Sequence, residues 1–461
     1  MLKFYIFLFM NISLQDKTNH IILKWIIPFG MIVFLTGQII LPNNSSHISQ
    51  TYTWLILPAF ILLFTSGKEV FKEHRVNTLA ILTLCFIVLY TLSFLWSDTD
   101  EDAGRFIKDG IYIVLFIFSI YMLIRSDYWD FSRILETSAL IISIGAAISL
   151  LNHFFILDAP IGVREYRISN MGDWGFGNLD NPIPAAIYYG SFSAILFVLF
   201  SDRKSSKARS FLKLISLLVL NTYVMFTWSR GPIISLFLSY FLSWILIKNK
   251  KSTIALLAIT ISSSLIYFSD QISTGISDTL NNRQSTYTTN EIELVSSGII
   301  ATGSKFKFME SLEESEDFLN KTFSERGSIW LTTYKRSLER FWFGHGAGAK
   351  FQIPYNQNRT IAFHAHNIYL QVFYELGFIG LFLFAFLLCL LIKNLYTTRE
   401  NINTKIAIAL LCIGLFSYIT DVSKIFTKPH IYWINFWLPL GIGIAIKMKI
   451  SASPLTFSRN Q

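Results

Sequence analysis

The sequence predicts an all-α polytopic membrane protein with about twelve transmembrane helices and one large loop subdomain on the outer side. Three observations predict it. Of 461 residues, 52% are hydrophobic and only 15% charged, where a soluble domain carries about 25% charged residues. The apolar residues fall in blocks of roughly 16 to 24, and one crossing of the hydrocarbon core takes about 20. Basic residues gather in short connections between the blocks, at Lys68, Lys72 and Arg75, at Arg203, Lys204, Lys207 and Arg209, and at Lys248, Lys250 and Lys251. That is the positive-inside pattern.

The predicted spans cover 21–41, 51–66, 78–97, 111–125, 134–157, 183–200, 212–228, 232–247, 253–268, 367–392, 406–420 and 432–449. With the N-terminus inside, each basic loop lies on the cytoplasmic side. The acidic stretch with Asp98, Asp100, Glu101 and Asp102 then lies outside. The formal charge of +9 thus reports topology, and no nucleic-acid partner is expected. The opening stretch 1–14 is apolar but short and lacks a small-residue cleavage site, so an interfacial or N-terminal segment is expected there. Cys85, Cys389 and Cys412 all sit inside apolar blocks, which leaves no disulfide framework or zinc site.

The chain divides into an N-terminal membrane region (1–268, about nine spans), a loop subdomain (269–365) and a C-terminal membrane region (366–461, about three spans). A long loop in a compact protein is usually functional or disordered. Within this one, 270–320 is a polar insertion. Residues 326–342 carry Ile329, Trp330, Leu338, Phe341 and Trp342 among Lys335, Arg336 and Arg340, the pattern of an amphipathic helix near the membrane surface. The turn Gly344-His345-Gly346-Ala347-Gly348 ends it.

The most informative stretch is His364-Ala365-His366-Asn367, which leads into a long apolar helix with Gly377 and Gly380. At about 100° per residue, Gly377 falls within roughly 20° of His366, and Gly380 about 40° to the other side. One face then presents an imidazole at the outer mouth and two side-chain-free positions roughly 16 to 21 Å deeper. Another helix or a lipid chain can approach closely there. Taken alone, His366 would be a helix cap and the glycines simple packing positions.

Two outer arginines add to it. Arg230, in Trp228-Ser229-Arg230-Gly231-Pro232, stands in a tight outer turn against the positive-inside bias; its plainer role is a snorkelling anchor. Arg326 opens the amphipathic helix, where its plainer role is a solvated face. In the outer segment 164–184, Arg167 adds positive potential. Asn178 and Asn181 there suit sugar binding or capping, and capping is the safer reading for Asn181, which precedes Pro182.

Arginine suits a polyphosphate because its planar fork gives two parallel hydrogen bonds and stays charged. Histidine, with an unperturbed pKa of about 6.5, suits general-base work. The sequence holds no Walker loop, HExxH, GxSxG or CxxC. No outer carboxylate has a spacing that would complete a metal site with His364 and His366, so neither metal nor cofactor is expected. Glu375, within an apolar helix, is expected to be a buried packing partner; a proton-coupled role is the dissenting view.

At these residues the chain resembles the O-antigen ligase branch of the O-antigen ligase and Wzy-type polymerase superfamily. The resemblance rests on the Ser229-Arg230-Gly231 turn, the outer loop with an arginine before an amphipathic helix, and His366-Asn367 followed by Gly377 and Gly380. It implies a metal-independent inverting glycosyltransferase of lipopolysaccharide biosynthesis, multi-pass in the bacterial inner membrane, with its site facing the periplasm. The donor would be O-antigen on undecaprenyl pyrophosphate and the acceptor lipid A-core. By the same resemblance, Arg230 and Arg326, with Arg167 as a weaker carry-over, would hold the pyrophosphate, and His366 would activate the acceptor hydroxyl. The polar insertion departs from the family pattern. A Wzy-type polymerase, a protein O-oligosaccharyltransferase and, from another class, a transporter or flippase stay open.

Overall fold

The computed structural model describes residues 18–72, 77–126, 128–160, 163–164, 166–169, 179, 181–202, 205–285, 326–355, 360–420 and 424–451. The opening stretch 1–14, most of the polar insertion, Asn178 and the basic residues Arg75, Arg203 and Lys204 lie outside them.

The described chain is almost wholly helical, as a lipid solvent demands, because a helix satisfies its own backbone hydrogen bonds. Among the described residues, eleven helices are long and apolar enough to cross a membrane. They are α1 (Thr18–Ile40), α2 (Asn44–Ser66), α3 (Thr78–Trp96), α4 (Ala103–Arg125), α5 (Phe131–Ile156), α6 (Pro182–Asp202), α7 (Lys207–Phe226), α8 (Arg230–Ile247), α9 (Lys250–Phe268), α11 (Ile368–Thr397) and α13 (Ile431–Ile450). A shorter apolar helix, α12 (Ile402–Ser417), completes the expected set. The protein is therefore an all-α multi-pass membrane protein. Between α9 and α11 lies the surface helix α10 (Arg326–Glu339).

Two helices start earlier than hydropathy predicts, because polar caps extend them. Asn43 accepts the Ser46 amide at 2.8 Å and opens α2, whose His47 is buried with one ring nitrogen 2.9 Å from the Phe34 carbonyl oxygen. Asp102 accepts the Gly104 amide at 3.2 Å and opens α4. Both first turns are too polar to register as apolar blocks, yet their backbones are capped.

α6 and α13 are the most enclosed helices. Serine and asparagine join the layers around them: Ser239 Oγ donates to the Ala409 carbonyl at 2.9 Å, and Asn435 Nδ2 donates to Ser191 Oγ at 2.8 Å. Such small polar residues draw helices together where lipid supplies no hydrophobic drive. The chain alternates direction. At one end Lys405 pairs with Asp202 at 2.7 Å, Asn249 Nδ2 reaches the Ser201 carbonyl and Lys449 Nζ reaches the Ile124 carbonyl. Glu136 belongs to this end, paired with Arg209 at 2.7 Å. The other end carries Arg167, Arg230, Arg326 and His366.

The segment after α10 forms a small lobe on that second end. An antiparallel pair, β1 (Ile353–Tyr355) and β2 (Thr360–Ala362), sets Ile353 opposite Ala362. Ile329, Phe351, Ile353, Ala362 and Ala365 share a small core with Tyr374 of α11. Bonds from Ala347 N–H to Ser93 Oγ at 2.9 Å and from Lys350 N–H to Asp98 Oδ1 at 3.0 Å tie the lobe to α3 and the loop after it. α10 buries Ile329, Thr333 and Ser337, whereas Leu338 and Trp342 are exposed. The buried face thus carries the apolar Ile329 together with two hydroxyls and leaves Leu338 facing outward. It can be buried because Thr333 and Ser337 bond the carbonyls one turn back, at 2.6 and 2.8 Å.

Candidate functional site

His366 stands just ahead of α11. Asn367, not His366, caps that helix: its Oδ1 accepts the amides of Tyr369 and Leu370 at 3.0 and 3.1 Å. His366 takes a left-handed backbone, φ +51°, sparsely populated for a residue with a Cβ. Its own amide donates to Nδ1 of His364 at 3.2 Å, and the two rings lie 3.9 Å apart. His364 therefore belongs to the same site. Burial, then His364, then Arg326 push the pKa of His366 down to about 3. That of His364 is lowered by burial, Lys424 and Arg326. Both imidazoles are neutral at neutral pH, the protonation state a general base needs. The charge of the half-buried Arg326 is thus near enough to act on both histidines.

Arg230 is exposed at the first position of α8. One turn further on, Ser235 Oγ meets Ser417 Oγ at 2.6 Å, and the next residue, Tyr418, accepts the Ile368 amide at 2.9 Å. Arg230 and His366 therefore both adjoin the end of α12, at one level of the bundle.

Arg167 is bonded to the turn that precedes α8. Its Nε donates to the Thr227 carbonyl and its Nη2 to Ser229 Oγ, each at 2.8 Å. Ile168 N–H also donates to the Phe226 carbonyl at 3.1 Å. The guanidinium thus braces the turn that presents Arg230, with Trp228 in that turn left-handed at φ +50°.

Gly377 and Gly380 do not form one continuous helical face with His366. Gly377 has φ +63° and breaks α11. The interrupted backbone is completed by the turn after α10: Phe378 N–H donates to the Phe341 carbonyl at 2.7 Å, and His345 and Gly346 N–H donate to the Tyr374 and Glu375 carbonyls at 2.8 Å. Gly377 thus serves main-chain docking and not a lipid groove. A Cβ on Gly380 would strike Leu376 of its own helix. A spacing of about 100° per residue holds only along an unbroken helix, and α11 is broken at Gly377.

The break also explains Glu375. Its buried carboxylate accepts from Gln371 Nε2 at 3.0 Å and from the Gly348 amide. Gln371 Oε1 in turn accepts the Ala365 amide at 3.0 Å. One carboxylate thus links the glycine-rich turn to the backbone next to His366. Sequence reasoning missed Gln371, His364 as a partner of His366, and Lys424, whose ammonium bears on both His364 and Glu375. The i, i+4 spacing of Gln371 and Glu375 was the available signal. Among the described residues, no three His, Cys, Asp or Glu side chains stand together as a metal site would need.

Residues 214–385 match the model of a family described as O-antigen ligase. That stretch runs from α7 into α11 and holds Arg230, Arg326, His366, Gly377 and Gly380, but not Arg167. The chain is 24% identical to an O-antigen ligase of Pseudomonas aeruginosa over 443 residues, 95% of this chain and 96% of that one. It is 31% identical to a putative polysaccharide ligase of Rickettsia conorii over 162 residues, 32% of this chain and 37% of that one. By these matches and its many apolar spans, the chain is similar to O-antigen ligases.

Proposed function

We propose that this protein transfers O-antigen polysaccharide from undecaprenyl pyrophosphate to lipid A-core, on the periplasmic side of the bacterial inner membrane and without a metal. The observation that carries the reading is a neutral imidazole, His366, held beside the Arg326 guanidinium at the end of the bundle where Arg230 is also presented. Charge supports that side of the membrane: Arg209, Lys248, Lys250 and Lys405 gather at the opposite end, and Asp98, Asp100, Glu101 and Asp102 at this one.

In the proposed reaction an acceptor hydroxyl oxygen attacks the anomeric carbon from the face opposite the pyrophosphate. One C–O bond to the acceptor forms as the C–O bond to phosphate breaks, so configuration inverts. His366 takes the hydroxyl proton, and Arg230 and Arg326 hold the charge that gathers on the departing undecaprenyl pyrophosphate. The imidazole is a weak base in the ligand-free site. The donor's anionic pyrophosphate offsets the guanidinium repulsion and raises its basicity as the substrate arrives.

The test is transfer by purified, lipid-reconstituted protein given both lipid substrates. Lipopolysaccharide should form with wild type. Arg230→Ala, Arg326→Ala and His366→Ala should each lower the rate by about 10² to 10³ or more while the protein still inserts. Glycan lengthened on the undecaprenyl carrier would identify a polymerase instead, and near-normal transfer by all three variants would refute the site.

A further inference from the structure

A cavity lined in part by Lys424 opens at this end of the bundle, and its chemistry is not that of the arginine site. It has a volume of about 410 Å³ and is lined by Gln38, Asn44, Asn181, Lys424, Thr427 and His430 among others. Its lining is donor-rich. Asn181 Oδ1 already accepts the Ile183 amide at 2.9 Å, which leaves its Nδ2 for the cavity. His430 Nδ1 accepts the Tyr432 amide at 3.5 Å, so the neutral ring carries its proton on Nε2. Burial and His47 lower its pKa to about 4.

Two further groups point to a ligand. Thr427 Oγ1 is sealed from solvent and, among the described residues, has no hydrogen-bond partner, a condition buried hydroxyls seldom keep. Lys424 is half-buried, and no described carboxylate stands within ion-pairing distance of it. This ammonium, which acts on the Glu375 carboxylate without a close ion pair among the described residues, stands among amide, imidazole and hydroxyl donors and complements an oxygen-rich ligand of negative charge.

We propose that this cavity is a subsite for an anionic sugar, phosphorylated or carboxylated, seated next to the transfer site. The inference rests on the reading of His366 as the base, because Lys424 adjoins both the cavity and His364. The sugar belongs either to the acceptor lipid or to the first residues of the donor glycan.

Lys424→Gln and Thr427→Ala test it, with Lys424→Arg as the charge-conserving control. In reconstituted transfer, Lys424→Gln should raise KM about tenfold or more for the substrate carrying the anionic sugar, a larger effect than any on kcat. The effect should vanish when that substrate is enzymatically dephosphorylated or its uronate is replaced by the neutral hexose, and Lys424→Arg should restore most of it. A KM effect confined to the acceptor, or to the donor, identifies the source. Equal loss of kcat with every substrate, or no change in KM, would overturn the proposal. Binding of glucose 6-phosphate to the detergent-solubilised full chain, followed by thermal shift, keeps the two readings separable. If wild type transfers nothing, the functional reading fails. Selective stabilisation by glucose 6-phosphate over glucose, lost in Lys424→Gln, would still uphold the cavity. No stabilisation of wild type would remove it.

Discussion

Gly344 and Gly377 face each other backbone to backbone: a Cβ built on either would lie 2.5 Å from the other's main-chain nitrogen. Both are left-handed, at φ +68° and +63°. The turn after α10 is thus locked into the break in α11, and the chain on both sides of that lock leads to the site, through Glu375 and Gln371 to Ala365 and His366.

Gly344→Ala and Gly377→Ala should each undo the lock. A left-handed alanine costs about 1 to 2 kcal/mol, and the clash is with backbone that cannot rotate away. Thermal unfolding of the purified variants should shift down, with transfer lost before membrane insertion. Unchanged melting with full transfer would show that the two segments separate freely.

Glu375→Ala should strand the Gly348 amide and Gln371 Nε2, each at about 1 to 3 kcal/mol for a buried unpaired group. Glu375→Gln keeps an acceptor and should retain most transfer. A proton-coupled role would require the reverse, with Glu375→Gln as inactive as Glu375→Ala in the same assay.

Arg167→Ala should be milder than Arg230→Ala, since Arg167 holds Thr227 and Ser229. A loss of roughly tenfold, about 1.4 kcal/mol, is expected, mainly as a raised KM for the donor. Steady-state kinetics over donor concentration measure it; a loss as deep as that of Arg230→Ala would place Arg167 on the pyrophosphate itself.

The pH profile should carry the signature of a base awakened by its substrate. In the ligand-free protein His366 lies at about 3, so the acid limb of kcat/KM that belongs to it falls far to the acid side. Bound pyrophosphate is anionic and raises the pKa, so the limb in kcat, which reports the donor complex, should sit at higher pH. Initial rates measured across the acid and neutral range decide it; a kcat limb at the same or lower pH contradicts the role given to Arg326 and the donor.

Much of this architecture was legible because lipid allows few solutions. Hydropathy located all twelve apolar helices, missing the starts of α2 and α4 where Asn43 and Asp102 cap polar turns. His366, Arg230 and Arg326 were nameable from residue chemistry and topology. The break at Gly377 was not, because an apolar stretch containing glycine looks the same whether the helix continues or another backbone docks there. The bracing bonds of Arg167 were hidden for a related reason: sequence gives its charge but not the carbonyl and hydroxyl it bonds. That Thr333 and Ser337 of α10 would be buried was not legible, because their hydroxyls are satisfied within the helix.

The structure of the full chain bound to a non-hydrolysable undecaprenyl-pyrophosphate sugar, determined in lipid, tests the central claim most directly. The two phosphates should lie within hydrogen-bonding distance of Arg230 and Arg326, with the His366 imidazole facing the anomeric carbon from the opposite side. Phosphates held elsewhere, with His366 turned away from the sugar, would contradict it.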